Sequence, residues 1–360
     1  MKWKWVLLVA LVAAAGCDSG GTGDDRCGEE GCGGSGGGAG GTGGAGGSGG
    51  EGGGAGGTGG GTACGPADEP GELPPDGADT GWTATLPESF ACPMLEVERP
   101  ESCGDEFAWW SAVRGWAVAP GGHPLGDARA QLCVHTADKR FVCLRPEEAN
   151  AEGVYTIEPA DEFRCIEKAA MRVLSPRSGR ATIYCAIDLE QGPTVTIPDP
   201  AVLPKLTPAV ELPPEGDPEV WREVVFDDGL VVDWKPSLFY SGGAGSYAEV
   251  AARRIPTDAI GLCGEAPTFD GLYAFYPEAT VDAPGFGLSI PNVDEYPAGT
   301  KVELFVLGSI DCRLHNGTTV PEATWAKFGE ATVSEDGAAI VADEGSGLPC
   351  LTWLAYRSKE

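Results

Sequence analysis

From Phe107 to Pro198 the chain is a succession of short apolar runs, among them AVRGWAVAP, ARAQLCVHT, KRFVCLR, GVYTIEP and ATIYCAIDL, with turn residues about every eight to twelve positions. This texture limits the fold more than any other feature. Runs of this length match strands and fall short of a stable helix, and the Gly, Pro and Asp residues between them supply turns. In GVYTIEP, Val154, Thr156 and Glu158 face one way while Tyr155 and Ile157 face the other, the period of a half-buried strand. The texture returns after residue 219 in REVVFDDGLVVDW, GLYAFYPEATV, GTKVELFVLG, GEATVSEDGAAIV and PCLTWLAYR. Helical spacing is scarce, and SYAEVAARR (Ser246–Arg254) is the one stretch that reads as a short helix. The expected fold class is all-β, with two β-sandwich-like domains after a disordered Gly-rich tether.

Composition places the boundaries. Residues 1–16 carry Lys2 and Lys4, an apolar stretch from Val6 to Ala15, and small residues up to Gly16. Ten apolar residues make about 15 Å of helix, half a hydrocarbon layer, so the segment reads as a signal peptide and not as a membrane span. Asp18 to Ala63 is mostly Gly with Ser, Thr and Ala; it has too little apolar bulk to offset the entropy of ordering and reads as a disordered spacer of roughly 40 Å. With Cys17 it forms segment 17–63. Residues 64–106 are a Cys- and Pro-rich lead-in, 107–198 a first β domain, 199–218 a linker with six prolines, and 219–360 a second β domain.

Thirteen cysteines leave an even number once Cys17 is set aside, which in an exported chain reads as a disulfide framework. Cys133 and Cys143 close a hairpin-like stretch, CVHTADKRFVC, and should face each other. Cys165–Cys185 is a second candidate pair, and Cys27 and Cys32 a local one.

Three stretches resemble known families. LVAAAGC (Leu11–Cys17) resembles the lipobox of bacterial lipoproteins. That resemblance implies cleavage before Cys17, lipidation of its sulfur and a partner in the lipid bilayer, with the leaflet open: periplasm or cell surface. VRGWAV (Val113–Val118), GGHPLGDARAQL (Gly121–Leu132) and GVYTI (Gly153–Ile157) resemble the carboxypeptidase regulatory-like domain, a prealbumin-type sandwich. Its members are non-catalytic spacers or interaction modules, so it carries over no site residues. Ile290–Leu307, Phe328–Val341 and the closing LTWLAYR are similar to a small β module of secreted bacterial proteins, which implies no particular activity.

Asp and Glu number 54 against 24 Lys and Arg, a net charge of −30. Such a field repels nucleic acid, and no basic stripe relieves it. The acids suit solubility at a cell surface; the clusters FDDGLVVD (Phe226–Asp233) and NVDE (Asn292–Glu295) also invite calcium, although neither has EF-hand spacing. No metal or cofactor site is assigned. His123, His135 and His315 read as turn residues. No P-loop, redox C-x-x-C or nucleophile-elbow pattern occurs in a setting that gives it meaning.

Trp109 and Trp110 are the place to look for a ligand platform: adjacent residues on a strand face opposite ways, so one ring is either open to a sugar or covered by the Cys64–Cys103 lead-in. The expectation is a membrane-anchored, extracytoplasmic, non-enzymatic protein with a structural or binding role. Its partner is a cell-surface protein or polysaccharide. The alternatives are a polysaccharide-binding surface module and a secreted hydrolase using a carboxylate pair.

Overall fold

The computed structural model describes residues 85–175, 179–189, 192–206, 210–211, 217–240, 249–256 and 268–359. The leader, Cys17, Cys27, Cys32, the Gly-rich tract and the start of the lead-in lie outside them. Up to residue 206 the described strands are β1 (Ala108–Trp109), β2 (Ala112–Val118), β3 (Arg129–Thr136), β4 (Phe141–Cys143), β5 (Glu147–Glu148), β6 (Val154–Ile157), β7 (Cys165–Leu174), β8 (Ile183–Ala186), β9 (Thr194–Thr196) and β10 (Ala201–Val202). They form a six-stranded sheet, β1-β7-β3-β4 with β5 on β3 and β8 on β7. A four-stranded sheet, β10-β2-β6 with β9 on β2, completes this half.

Beyond residue 209 come β11 (Val210–Glu211), β12 (Arg222–Val225), β13 (Val231–Trp234), β14 (Phe239–Tyr240), β15 (Glu249–Arg254), β16 (Gly271–Val281), β17 (Gly287–Pro291), β18 (Lys301–Leu307), β19 (Trp325–Val333), β20 (Ala339–Ala342) and β21 (Cys350–Ser358). They form one sheet in the order β11-β15-β16-β21-β18-β19-β20-β17-β13-β12, with β14 on β16. The described secondary structure is all-β apart from short 3₁₀ turns. SYAEVAARR is a correction: its described part is strand β15, where Val250 and Ala252 point to one core and Ala251 to another. Burial of both faces of an extended chain outweighs the high helix propensity of Ala and Arg.

The same two-sided burial organises the molecule. On β16, Leu272 and Ala274 join one core while Tyr273 and Phe275 join the other. On β21, Trp353 and Ala355 face the first core and Leu354 and Tyr356 the second. The two strands are therefore a wall between two cores. The first core continues through Leu132, Met171, Val113 and Tyr155 between the two sheets of the N-terminal half. The second lies inside the eleven-stranded sheet, with Trp234 packed at 4.6 Å against Phe286. Gly271 starts β16 because the Tyr356 ring lies where a Cβ would sit, 2.1 Å away. Part of the proline-rich segment is also interior: β10 adds to β2 in parallel, and Leu203 and Leu206 are buried in the first core.

Polar contacts also join the wall to the N-terminal half. Trp353 Nε1 donates to the Thr182 carbonyl at 2.6 Å. Arg172 on β7 donates from Nε to Glu278 Oε2 on β16 at 3.0 Å and from Nη1 to Gln131 Oε1 at 3.1 Å. Burial alone would lower the Arg172 pKa, but the Glu278 carboxylate more than offsets this and holds it raised.

β2 is buried along its whole length for a related reason. Its outward residues Trp116 and Val118 are covered by Phe90 of the lead-in, and Trp116 Nε1 donates to the Pro198 carbonyl at 2.8 Å. Arg114 points the same way with no carboxylate partner. It donates from Nε to Thr156 Oγ1 at 2.9 Å and from Nη1 to the carbonyls of Phe90 (3.1 Å) and Cys92. Arg164 similarly reaches the Trp110 carbonyl at 3.3 Å. Arg114 thus satisfies backbone carbonyls that the irregular lead-in would otherwise bury unpaired, and Arg164 does the same for the link between β1 and β2.

Three described disulfides staple this frame. Cys133–Cys143 joins directly opposed residues of β3 and β4, as the hairpin reading expected. Cys312–Cys350 ties the loop after β18 to the start of β21. The Cys165–Cys185 pairing is a correction: Cys165 bonds to Cys103, with Cα atoms 5.7 Å apart. Cys165 sits opposite Trp109 at the start of β7, which brings the lead-in beside it. Cys185 sits opposite Met171, six residues further along and about 20 Å away. Cys92 and Cys185 are disulfide-bonded as well.

Because the wall belongs to both cores, thermal unfolding of the two halves is expected to occur as one transition. Trp353→Ala should lower its stability by about 4 kcal/mol without splitting it, which calorimetry reads directly. Glu278→Leu strands a buried guanidinium and should cost about 3 kcal/mol, with Arg172→Leu added in the double variant restoring much of the loss.

Candidate functional site

Trp109 and Trp110 are a correction. Trp110 is fully buried in the first core, and Trp109 is only 8% exposed. The alternation argument holds, but the face of Trp109 is covered by the lead-in: its Nε1 donates to the Val97 carbonyl at 2.9 Å. Ser111 Oγ in turn accepts from Val97 N at 2.7 Å. Neither ring offers a flat platform. What the lead-in leaves is a groove of about 560 Å³ lined by Glu96, Glu98, Phe107, Trp109, Leu189 and Pro193. Its volume falls within the range of small-ligand clefts, and its floor is apolar under an acidic rim. Arg99 beside it is used up as a turn cap, donating from Nε to the Cys103 carbonyl at 3.1 Å.

Of the other tryptophans the structure describes, Trp116, Trp234 and Trp353 are buried. Trp221 is exposed, with the Lys235 ammonium 5.7 Å from its ring centre.

The two acidic clusters read from the sequence are brought together at one end of the eleven-stranded sheet. Asp228 of FDDG accepts from the Arg254 backbone N at 2.7 Å. Asp294 of NVDE accepts from Arg254 Nη2 at 3.1 Å and from the Tyr356 hydroxyl at 2.6 Å. Beside them Asp270 accepts from the Tyr296 hydroxyl at 2.5 Å and from Ser358 N at 2.7 Å. Burial works against the Asp270 carboxylate, yet these bonds hold its pKa below the usual value. The tyrosine hydroxyls are pushed well up, Tyr356 by burial and then by its bond to Asp294, Tyr273 by burial and then by Asp228. A tyrosine held protonated is a donor and not a nucleophile. Arg254 supplies the positive charge that a cation would otherwise bring. Among the described residues no group of three or more His, Cys, Asp or Glu side chains is placed to hold a metal ion.

A second cleft of about 520 Å³ adjoins this cluster, lined by Thr268, Asp270, Glu303, Arg357, Ser358 and Lys359. Its charges interlock. Glu303 pairs with Lys327 at 3.0 Å and Arg357 at 2.9 Å, and Glu330 pairs with Lys327 at 2.8 Å and Lys359 at 2.9 Å. Register sets Glu303 between Glu330 on β19 and Arg357 on β21, and Lys327 bridges the two facing carboxylates. Hydrogen bonds from Lys327 and Lys359 lower the Glu330 pKa to about 2.

The histidines stay apart. His315 Nε2 lies 2.8 Å from the Gly347 carbonyl. His135 Nε2 is 3.9 Å from Glu322, whose carboxyl is pushed up by burial. This contact links the β3–β4 hairpin to the loop before β19. Sequence reading missed the lead-in groove and the convergence on Arg254, since both depend on chain segments far apart. The signal for the second was present in the two acidic turns, but nothing local names Arg254 as their partner.

Comparison with protein-family models, curated proteins and solved structures gave no match to this chain. Disulfide bonds persist in oxidising compartments, so the described bridges point to an extracytoplasmic setting. Among the described residues no helix is long and apolar enough to cross a membrane.

The depressed Glu330 pKa sets a pH window. Its pairing favours the folded state above about 4.5 and is lost as pH falls through about 2. An NMR titration should place the Glu330 carboxyl midpoint near 2, and Lys327→Met should move it up toward 4.5.

Proposed function

We propose that this chain is a lipid-anchored extracytoplasmic protein, acylated at Cys17, whose disulfide-stapled β body has a non-catalytic binding or structural role. The observation that carries the reading is LVAAAGCDSGG: an apolar run of signal-peptide length, small residues, one cysteine, and then a Gly-rich tract fit for a leash. The disulfides support it, because the leader and the bridges call for the same oxidising compartment. Several acyl chains at Cys17 would give stable anchoring, each buried methylene contributing about 0.8 kcal/mol. The body then presents surfaces and not a reaction centre. Asp270, which lines the second cleft, and Asp294 beside it are occupied by Tyr296, Tyr356 and Arg254, and Glu303 by Lys327 and Arg357. The polysaccharide reading loses the Trp109–Trp110 platform but keeps Trp221 as an exposed ring.

Cys17→Ser tests the anchor. The wild-type chain is expected in the membrane fraction with a fatty-acyl label, and the variant in the soluble extracytoplasmic fraction without one. A variant that stays with the membrane, or a wild-type chain with an unmodified sulfur, overturns the proposal.

A further inference from the structure

Among the described residues the eleven-stranded sheet ends on β12, and no strand pairs with its outer edge. The turn after it sets the hydrogen-bond phase: Phe226 N donates to the Leu230 carbonyl and Gly229 N to the Phe226 carbonyl, both at 2.9 Å. Phe226 and Leu230 are therefore a hydrogen-bonded pair. By alternation Val225–Val231 is not, Val224–Val232 is, and Glu223–Asp233 is not. In the pairs that are not bonded, the N–H and C=O groups of Glu223 and Val225 aim away from β13. Among the described residues none answers them. Edge strands are ordinarily blunted by proline, bulges or cover. β12 has an unbroken register and no proline.

The side chains on that edge are open too. Trp221, Glu223 and Val225 share the outward face, with Trp221 45% and Val225 51% exposed. Cross-strand register extends Val225 into an uncharged row, Val231, Ser289, Val341 and Thr332. An open backbone edge and an apolar outward face are together the two halves of a strand-addition site, where main-chain bonds give affinity and alternate side chains give choice of partner.

Charge selects the occupant. The chain carries −30 overall, and the midpoint of this edge is Glu223. A second copy repeats that charge, and the two-fold antiparallel register that sets Trp221 against Val225 also sets Glu223 against Glu223, a repulsive pair. A strand bearing lysine or arginine at alternate positions meets no such penalty. One base pairs with Glu223, and another stands over the Trp221 ring as Lys235 already does. We propose that β12 is a docking edge for an extended basic segment of a partner protein, added as a further strand. This gives the binding role its partner class and does not depend on the lipid at Cys17, so a failure here leaves the anchoring test untouched.

The probe is the blocked peptide KVKVKVKVK, titrated into the full chain by calorimetry. KVKPKVKPK keeps the charge but cannot complete a ladder. The first peptide should bind at least about tenfold tighter than the second, and amide exchange at Glu223 and Val225 should slow when it is added. Val225→Pro removes an edge donor that β13 does not use. Glu223→Lys reverses the central charge and leaves the backbone intact. Each should weaken the first peptide about tenfold, with circular dichroism unchanged for at least Glu223→Lys. Equal binding of the two peptides would mean general attraction to an acidic surface and would overturn the proposal. So would indifference to Glu223→Lys, or a dimer of the chain that strengthens with salt.

Discussion

The structure depends on two strands having no polar face. A strand with one wet side alternates; residues 271–275 of β16 and 350–356 of β21 are instead buried without a break, and each run must find apolar cover on both sides. The eleven-stranded sheet supplies one cover and the N-terminal sandwich the other. The first half is thus part of the solution to a burial problem posed by the second. Trp353 shows the dependence in one residue: its ring fills the first core, and its indole N–H is satisfied by a carbonyl from the other half. Had the two halves been independent, that ring and Leu272 would face water.

A second constraint follows at the other end of the chain. β2 is buried on both faces, and its outer side is closed by the lead-in, a segment with little regular structure. Irregular backbone brought against such a face carries carbonyls that need donors. Arg114 provides them for Phe90 and Cys92 from the sheet side, and Cys103–Cys165 fixes the segment covalently. Export is what makes the covalent part available, since the bridge persists where thiols are oxidised. The lead-in then shapes the groove over Trp109 by covering most of that ring and leaving an acidic rim beside it.

How much of this was legible depends on the range of each signal. The all-β class, the FDDG turn and the Cys133–Cys143 hairpin rest on periods of two and on turns of a few residues, and they could be read directly. The continuous runs AVRGWAV and LTWLAYR were also informative, because unbroken apolarity in a strand states that both faces are covered. It does not state by what. Trp109 and Trp110 were rightly assigned to opposite faces, but no local pattern shows that residues near Val97 lie over one of them. SYAEVAARR reads as a helix in isolation because the apolar surface that makes it a strand comes from β16. The Cys165 partner was misjudged for the same reason: strand register, and not distance along the chain, decides which thiols meet.

The acidity of the chain acquires a more specific meaning from where the acids are engaged. Asp294, Asp270, Glu303 and Glu330 are each held by donors at the Tyr- and Arg-rich end of the second half. There the field is locally balanced, and the carboxylates contribute to order. Glu223 is placed differently. It stands on an open edge whose own backbone groups have no described partner, beside exposed Trp and Val side chains. A carboxylate there does little for the fold. On the docking reading proposed above it governs what approaches, opposing the pairing of like chains at that edge while leaving the edge open to a strand of opposite charge.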